Sequence, residues 1–165
     1  MDIIRGRVLK YGDDINTDII IPTRFGASVD PDYLGRYCLY NLDEEFRNKR
    51  RPGDILVAGR NFGCGSSRET APLAIKSAQI SCVVAKSFAR IFFRNAINIG
   101  LPLIENADIA EDAENGDTLE IDFERSICRN AGKDREYGLS SYPGLIRKIF
   151  ECGGLINYIA ENEDI

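Results

Sequence analysis

The chain has 165 residues, 44% of them hydrophobic and 28% charged. That fits one domain, spanning residues 1–165, whose core needs no disulfides. A net charge of −5 speaks against nonspecific nucleic-acid binding through a basic surface, and the complete absence of His excludes a Ser–His–Asp triad, a Cys–His dyad or a His-ligated metal site built by this chain alone.

The opening Met1-Asp2-Ile3-Ile4-Arg5 lacks the apolar stretch and cleavage site of a secretion signal. No apolar run approaches the roughly 18 residues of a membrane span. Residues 3–8 read as a strand. In "YGDDINTDIIIP" the acidic front half reads as loop, and the apolar run stops at Pro22. Past Pro22, the residues Gly26, Pro31 and Gly35 mark irregular backbone, with a helix over 32–40 and a charged linker "NKRRPGD".

The middle of the chain is clearest. A buried strand at 54–58 runs through "NFGCGSSRET" into a helix over 67–78. A strand at 81–85 comes next, then a helix over 88–98 with Phe88, Ile91, Phe92 and Ala96 as its apolar face. Residues 101–104 form another short strand. Alternation of this kind predicts βαβ units and a parallel sheet. Beyond it, "NGDTLEIDFERSICRN" reads as two strands turning near Glu124-Arg125, with Leu119, Ile121 and Phe123 on one face. The end, 142–160, is helical with a break at Gly153-Gly154.

The strand-to-helix turn carries the chemistry. Gly63 and Gly65 let backbone approach a ligand, and a helix start offers unpaired N–H groups to an anion. Ser66 and Ser67 add hydroxyls, and Arg68 adds a fork that matches a carboxylate. A bland reading is equally good on spacing: Ser66-x-x-Glu69 fits a capping box, worth ~1 kcal/mol. Cys64 reads as a small filler without an activating neighbour. The turn is neither a Walker loop nor GxGxxG. Asp18 could orient this turn or only its own loop. Arg24, beside Phe25, could reach a substrate or be merely solvated. Lys86, Arg90, Arg94 and Asn95 recur at helical spacing as a polar face, although Lys86 and Ser87 end a strand, where α/β sheets collect ligands. The five Cys are scattered with no CxxC pair, so a zinc site or self-contained iron–sulfur cluster is not expected, and reduced thiols in a cytoplasm fit.

These residues together carry a family resemblance. "DILVAGRNFGCGSSRETAPLAIKSAQISCVVAKSFARIFFRNAINIGLPLIE" resembles the swivelling domain of the aconitase family, in the free-standing form found as small subunits of isopropylmalate dehydratases and homoaconitases. "YGDDINTDIIIP" and "GGLINY" extend the similarity to nearly the whole chain. The resemblance implies an α/β fold, a β/β/α swivelling domain with a mixed, partly parallel sheet flanked by helices. It implies a hydro-lyase that moves a hydroxyl between adjacent carbons of a di- or tricarboxylic acid. It assigns no cofactor or metal to this chain and a four-iron four-sulfur cluster to a separate large subunit. Carried over by position, Ser66 is the catalytic base and Asp18 its acidic support. Ser67 and Arg68 are substrate-carboxylate binders beside the backbone of Gly63 and Gly65. Thr70 stands where relatives often have His.

The loop "TRFGAS" departs from the usual pattern of the segment that reads the variable end of the substrate. Arg24 there suits a third carboxylate, as in a homoaconitase; if it points away, Phe25 suits an isopropyl or methyl group. Isopropylmalate is preferred, with homocitrate- and dimethylmalate-type substrates open. A noncatalytic anion-binding module is the competing class. Partners are the large subunit and a small acid, not nucleic acid or membrane. Self-association of the isolated chain is open, and residues 23–30 are expected to depend on the partner for order.

Overall fold

The computed structural model describes residues 3–162. Two apolar runs build its centre. Ile55–Ala58 (β2) and Cys82–Ala85 (β3) are buried at every position. Their side chains alternate: Leu56, Ala58, Val83 and Ala85 enter one core, while Ile55, Val57, Cys82 and Val84 enter another on the opposite face. A sheet covered on both faces accounts for strands without polar alternation.

Ile4–Lys10 (β1), β2, β3 and Leu103–Glu105 (β4) are parallel, with Val8 opposite Ile55 and Val83 opposite both Leu56 and Leu103. Thr118–Asp122 (β5) pairs antiparallel with β1, placing Ile4 opposite Ile121. Ile127–Asn130 (β6) and Arg135–Gly138 (β7) extend that side. The spatial order is β4-β3-β2-β1-β5-β6-β7. The fold is therefore α/β, with a mixed seven-stranded sheet flanked by helices.

Thr17–Ile20 (α1), Pro31–Tyr37 (α2), Phe46–Lys49 (α3), Thr70–Ser77 (α4) and Arg90–Asn98 (α5) contribute buried side chains to the first core. Ala107–Asp112 (α6) seals the second with Ile109 and Ala110. At Gly35 a Cβ would lie 2.6 Å from the Ser77 carbonyl oxygen, so glycine sets the close crossing of α2 and α4. Gly144–Glu151 (α7) and Leu155–Glu161 (α8) close the described chain. They break at Gly153 and Gly154, whose φ angles are +76° and +139°.

Several expectations need correction. Residues 17–20 turn helically because the Asn16 side chain caps them, accepting the Ile19 N–H at 2.8 Å. A helical turn, α3, overlaps the charged linker. The helix expected over 67–78 starts at Thr70. Ile91 is 53% exposed and does not share the buried face of Phe92 and Ala96. A third antiparallel strand, β7, joins the two expected, and α6 was not anticipated. No helix among the described residues is long and apolar enough to cross a membrane.

Candidate active site

The turn after β2 hangs between two distant segments. On one side, the Gly63 N–H donates to the Ile15 carbonyl at 2.8 Å and the Thr17 N–H donates to the Cys64 carbonyl at 2.9 Å. The Thr17 hydroxyl donates to the Ser66 carbonyl at 3.0 Å. On the other side, the Phe62 N–H donates to the Ser87 carbonyl at 3.0 Å, and the Ala89 N–H returns to the Phe62 carbonyl at 2.9 Å. The Ser87 hydroxyl accepts the Asn61 N–H at 2.9 Å, so this strand-end residue supports the turn from behind. Gly63 has φ +77°, and a Cβ there would lie 2.2 Å from Cγ of Phe92. Glycine thus brings the turn directly onto the α5 ring.

These ties decide the capping question. Glu69 holds the N-cap position of α4 and makes no side-chain cap hydrogen bond, so the Ser66–Glu69 box is not formed. The Ser66 carbonyl is engaged by Thr17, and no Thr70 N–H closes back on it. Among the described residues, the backbone N–H groups of residues 65–70 have no acceptor, and the Ser66 and Ser67 hydroxyls have no hydrogen-bond partner. Both serines are exposed. A run of unpaired N–H groups ahead of a helix is an anion-binding arrangement.

Asp18, in the first turn of α1, reaches this turn from across the chain. Its Oδ1 lies 2.8 Å from Nη1 of Arg68. The Thr23 hydroxyl donates to the same oxygen at 2.8 Å, and Nη2 of Arg68 donates to the Thr23 oxygen at 3.1 Å. Asp18, Thr23 and Arg68 form a closed triangle, and the guanidinium arrives already engaged.

Between the turn and α5 lies a cleft of about 520 Å³. Thr17, Ser66, Ser67 and Arg68 form one wall; Arg90, Ile91, Arg94 and Asn95 form the other. The structure thus gathers Gly63, Gly65, Ser66, Ser67 and Arg68 at one cleft, with Asp18 bonded to its rim. Arg24 is not among the lining residues. Its guanidinium lies 4.6 Å from the Phe25 ring centre and 5.9 Å from that of Tyr40, and donates to Asn41 Oδ1 at 3.3 Å. Phe25 itself stacks on Tyr37 at 3.9 Å. Lys86 pairs with Glu111 at 3.3 Å.

Arg90, Arg94 and Asn95, read from the sequence as part of a polar face, and Thr17, which the sequence did not single out, join the cleft lining. The signal available for the first three was their placement just after a parallel strand's C-terminal end. Burial, with Asp14 adding to it, raises the Cys64 thiol above its usual value, which keeps it protonated and unsuited to attack. All five cysteines are free. Among the described residues, no group of three or more His, Cys, Asp or Glu side chains converges as a metal site.

Comparison with known proteins gives a consistent result. The aconitase C-terminal domain family matches residues 29–108. The 3-isopropylmalate dehydratase small subunit of Caldanaerobacter subterraneus subsp. tengcongensis is 53% identical over 158 residues, covering 96% of this chain and 98% of its own. That of Caldicellulosiruptor saccharolyticus is 52% identical, covering 95% of this chain and 91% of its own. The crystal structure of 3-isopropylmalate dehydratase from Methanocaldococcus jannaschii superposes with a TM-score of 0.92 at 44% identity, over 98% of this chain and 96% of that one. The aconitase X of Thermococcus kodakaraensis, 17% identical with a TM-score of 0.51 over 85% of this chain and 92% of that one, shares the fold.

Proposed function

The chain belongs to the family of 3-isopropylmalate dehydratase small subunits, and we propose that it supplies half of the active site of a hydro-lyase interconverting 2-isopropylmalate and 3-isopropylmalate in leucine biosynthesis. The other half comes from a large subunit. On this reading residues 1–165 act as one swivelling domain in the cytoplasm. The observation that carries the proposal is the free Ser66 hydroxyl, held at the cleft by a turn whose cap it does not serve.

Dehydration requires a base to take the proton from a carbon next to a carboxylate, and a group to assist departure of the hydroxyl on the neighbouring carbon. Ser66 is the base. An ordinary serine hydroxyl is far too weak for this, so its anionic form must be stabilised locally. The unpaired N–H groups of residues 65–70 do so, and the Arg68 guanidinium, itself paired with Asp18, adds donors at the same cleft rather than net charge. Ser67 and the same N–H groups hold the substrate carboxylate. Asp18 and Thr23 fix Arg68 so that its side chain need not be ordered during the reaction.

The four-iron four-sulfur cluster implied by the family resemblance is placed, on this reading, on the large subunit. It would supply Lewis acidity toward the departing hydroxyl. The isopropyl end carries no charge. Arg24, held over Phe25 and Tyr40, then needs no carboxylate to read.

Anaerobic capture of the native complex tests the proposal. The expected result is an iron-containing large subunit and hydration of an isopropyl-substituted maleate. Capture of the chain without such a partner or activity would overturn it in favour of a binding module.

A further inference from the structure

The charges around the cleft do not balance, and the excess is positive. Arg68 is neutralised by Asp18 at 2.8 Å and further tied to Thr23. Arg90 and Arg94 line the opposite wall. Among the described residues, neither makes an ion pair or a side-chain hydrogen bond. They are four residues apart on α5 and so share a face. Asn95 stands beside them on the same wall. Other arginines, Arg36 and Arg47 among them, also lack an ion pair among the described residues, but they stand singly; Arg90 and Arg94 are two such guanidiniums on one cleft, and that convergence suits an anion.

We propose that Arg94 and Arg90 form a second carboxylate subsite, which binds the carboxylate of the substrate that the Ser67 and Arg68 turn does not hold. This rests on the reading of the cleft as the site of a dicarboxylic hydroxy acid. Such a substrate carries two negative charges. The Arg68–Asp18 pair contributes little net charge to oppose them, whereas Arg90 and Arg94 contribute two. A guanidinium offers paired donors matching a carboxylate's two oxygens, and Asn95 can add a neutral donor. Anchoring both ends would fix which carbon faces Ser66, and stereospecific proton removal requires that orientation.

The test uses the complex reconstituted with its large subunit. Both arginines are exposed, so Arg90→Gln and Arg94→Gln remove charge without opening the core. The expected result for the double variant is a KM for 3-isopropylmalate raised about tenfold or more, with subunit assembly unchanged. Competitive inhibition should shift in parallel: wild type prefers succinate over its monomethyl ester, and the variant loses that preference. Arg94→Lys should recover part of it. An unchanged KM and an intact preference for succinate would overturn the assignment. So would weakened assembly with an unchanged KM in the assembled fraction, which would give these arginines to the subunit contact. A wild-type complex without turnover would instead overturn the parent reading, and this one with it.

Discussion

Replacing Ser66 by Ala separates a catalytic hydroxyl from a helix cap. Were Ser66 the N-cap of α4, its removal would cost about 1 kcal/mol, which lowers Tm by roughly 2–4 °C in a chain of this size. The structure places Glu69 at the cap and leaves the Ser66 hydroxyl exposed, with no partner among the described residues. The Ser66 carbonyl, which Thr17 engages, survives the substitution. Stability should therefore change by no more than about 0.5 kcal/mol, as for other surface positions. Turnover should behave differently. Loss of a positioned general base lowers kcat by about 10²–10⁴-fold, while KM moves little because the N–H groups of residues 65–70 remain. Urea unfolding of the chain and steady-state kinetics of the reconstituted complex give the two numbers. A loss near 1 kcal/mol with almost unchanged kcat would refute the reasoning and return Ser66 to the role of cap.

Gly63→Ala should fail in folding before it fails in chemistry. A residue with Cβ at φ +77° costs about 1–2 kcal/mol, and displacing the Phe92 ring adds about 1–3 kcal/mol of overpacking, both readable by urea unfolding. Asp18→Asn frees one side of Arg68 from a pair whose carboxylate is 54% exposed, so stability should fall by under about 1 kcal/mol. Its effect belongs in kinetics: KM should rise severalfold in the reconstituted complex, and unchanged kinetics would remove Asp18 from the site. Lys76→Met removes donors to the Ile99 carbonyl at the end of α5 and to the Gly153 carbonyl at the break between α7 and α8. Leaving those acceptors unpaired should cost about 1–3 kcal/mol, measured by unfolding, with assembly and KM retained.

The parallel half of the sheet was legible because its strands are buried on both faces and read as unbroken apolar runs, Ile55–Ala58 and Cys82–Ala85. β7 was not. Its pattern, Arg135–Gly138, is almost wholly exposed, and an edge strand held by backbone pairing to β6 leaves no apolar alternation to detect. The helical turn at Thr17–Ile20 escaped because four residues carry no period, and the Asn16 cap looks like loop composition. The site was legible as a motif but not as geometry. Ser66 and Glu69 satisfy a local capping rule, but the helix starts at Thr70 and the Ser66 carbonyl is taken by Thr17, 49 positions away, which no local pattern shows. Arg90 and Arg94 looked like solvated helix surface because the wall opposite them is built by a turn distant in sequence.

Substrate choice at the variable end depends on how firmly Arg24 is parked. Over Phe25 and Tyr40 it gains about 0.5–1 kcal/mol for a cation above an exposed aromatic face. The hydrogen bond to Asn41 at 3.3 Å is long and contributes little more. A carboxylate within reach would overcome that restraint, whereas an isopropyl group offers nothing to overcome it with. The aromatic cluster is also costly to open, since Phe25 contacts Tyr33, Tyr37 and Tyr40 together. The complex should therefore turn over 3-isopropylmalate with a kcat/KM at least about tenfold above that for a tricarboxylic analogue, and Arg24→Ala should change the isopropylmalate KM by less than about threefold. A panel of isopropyl-, dimethyl- and carboxymethyl-substituted malates decides it. Preference for the tricarboxylic acid, abolished by Arg24→Ala, would mean that the guanidinium leaves its rings to bind a third carboxylate, and would move this chain to the homoaconitase type.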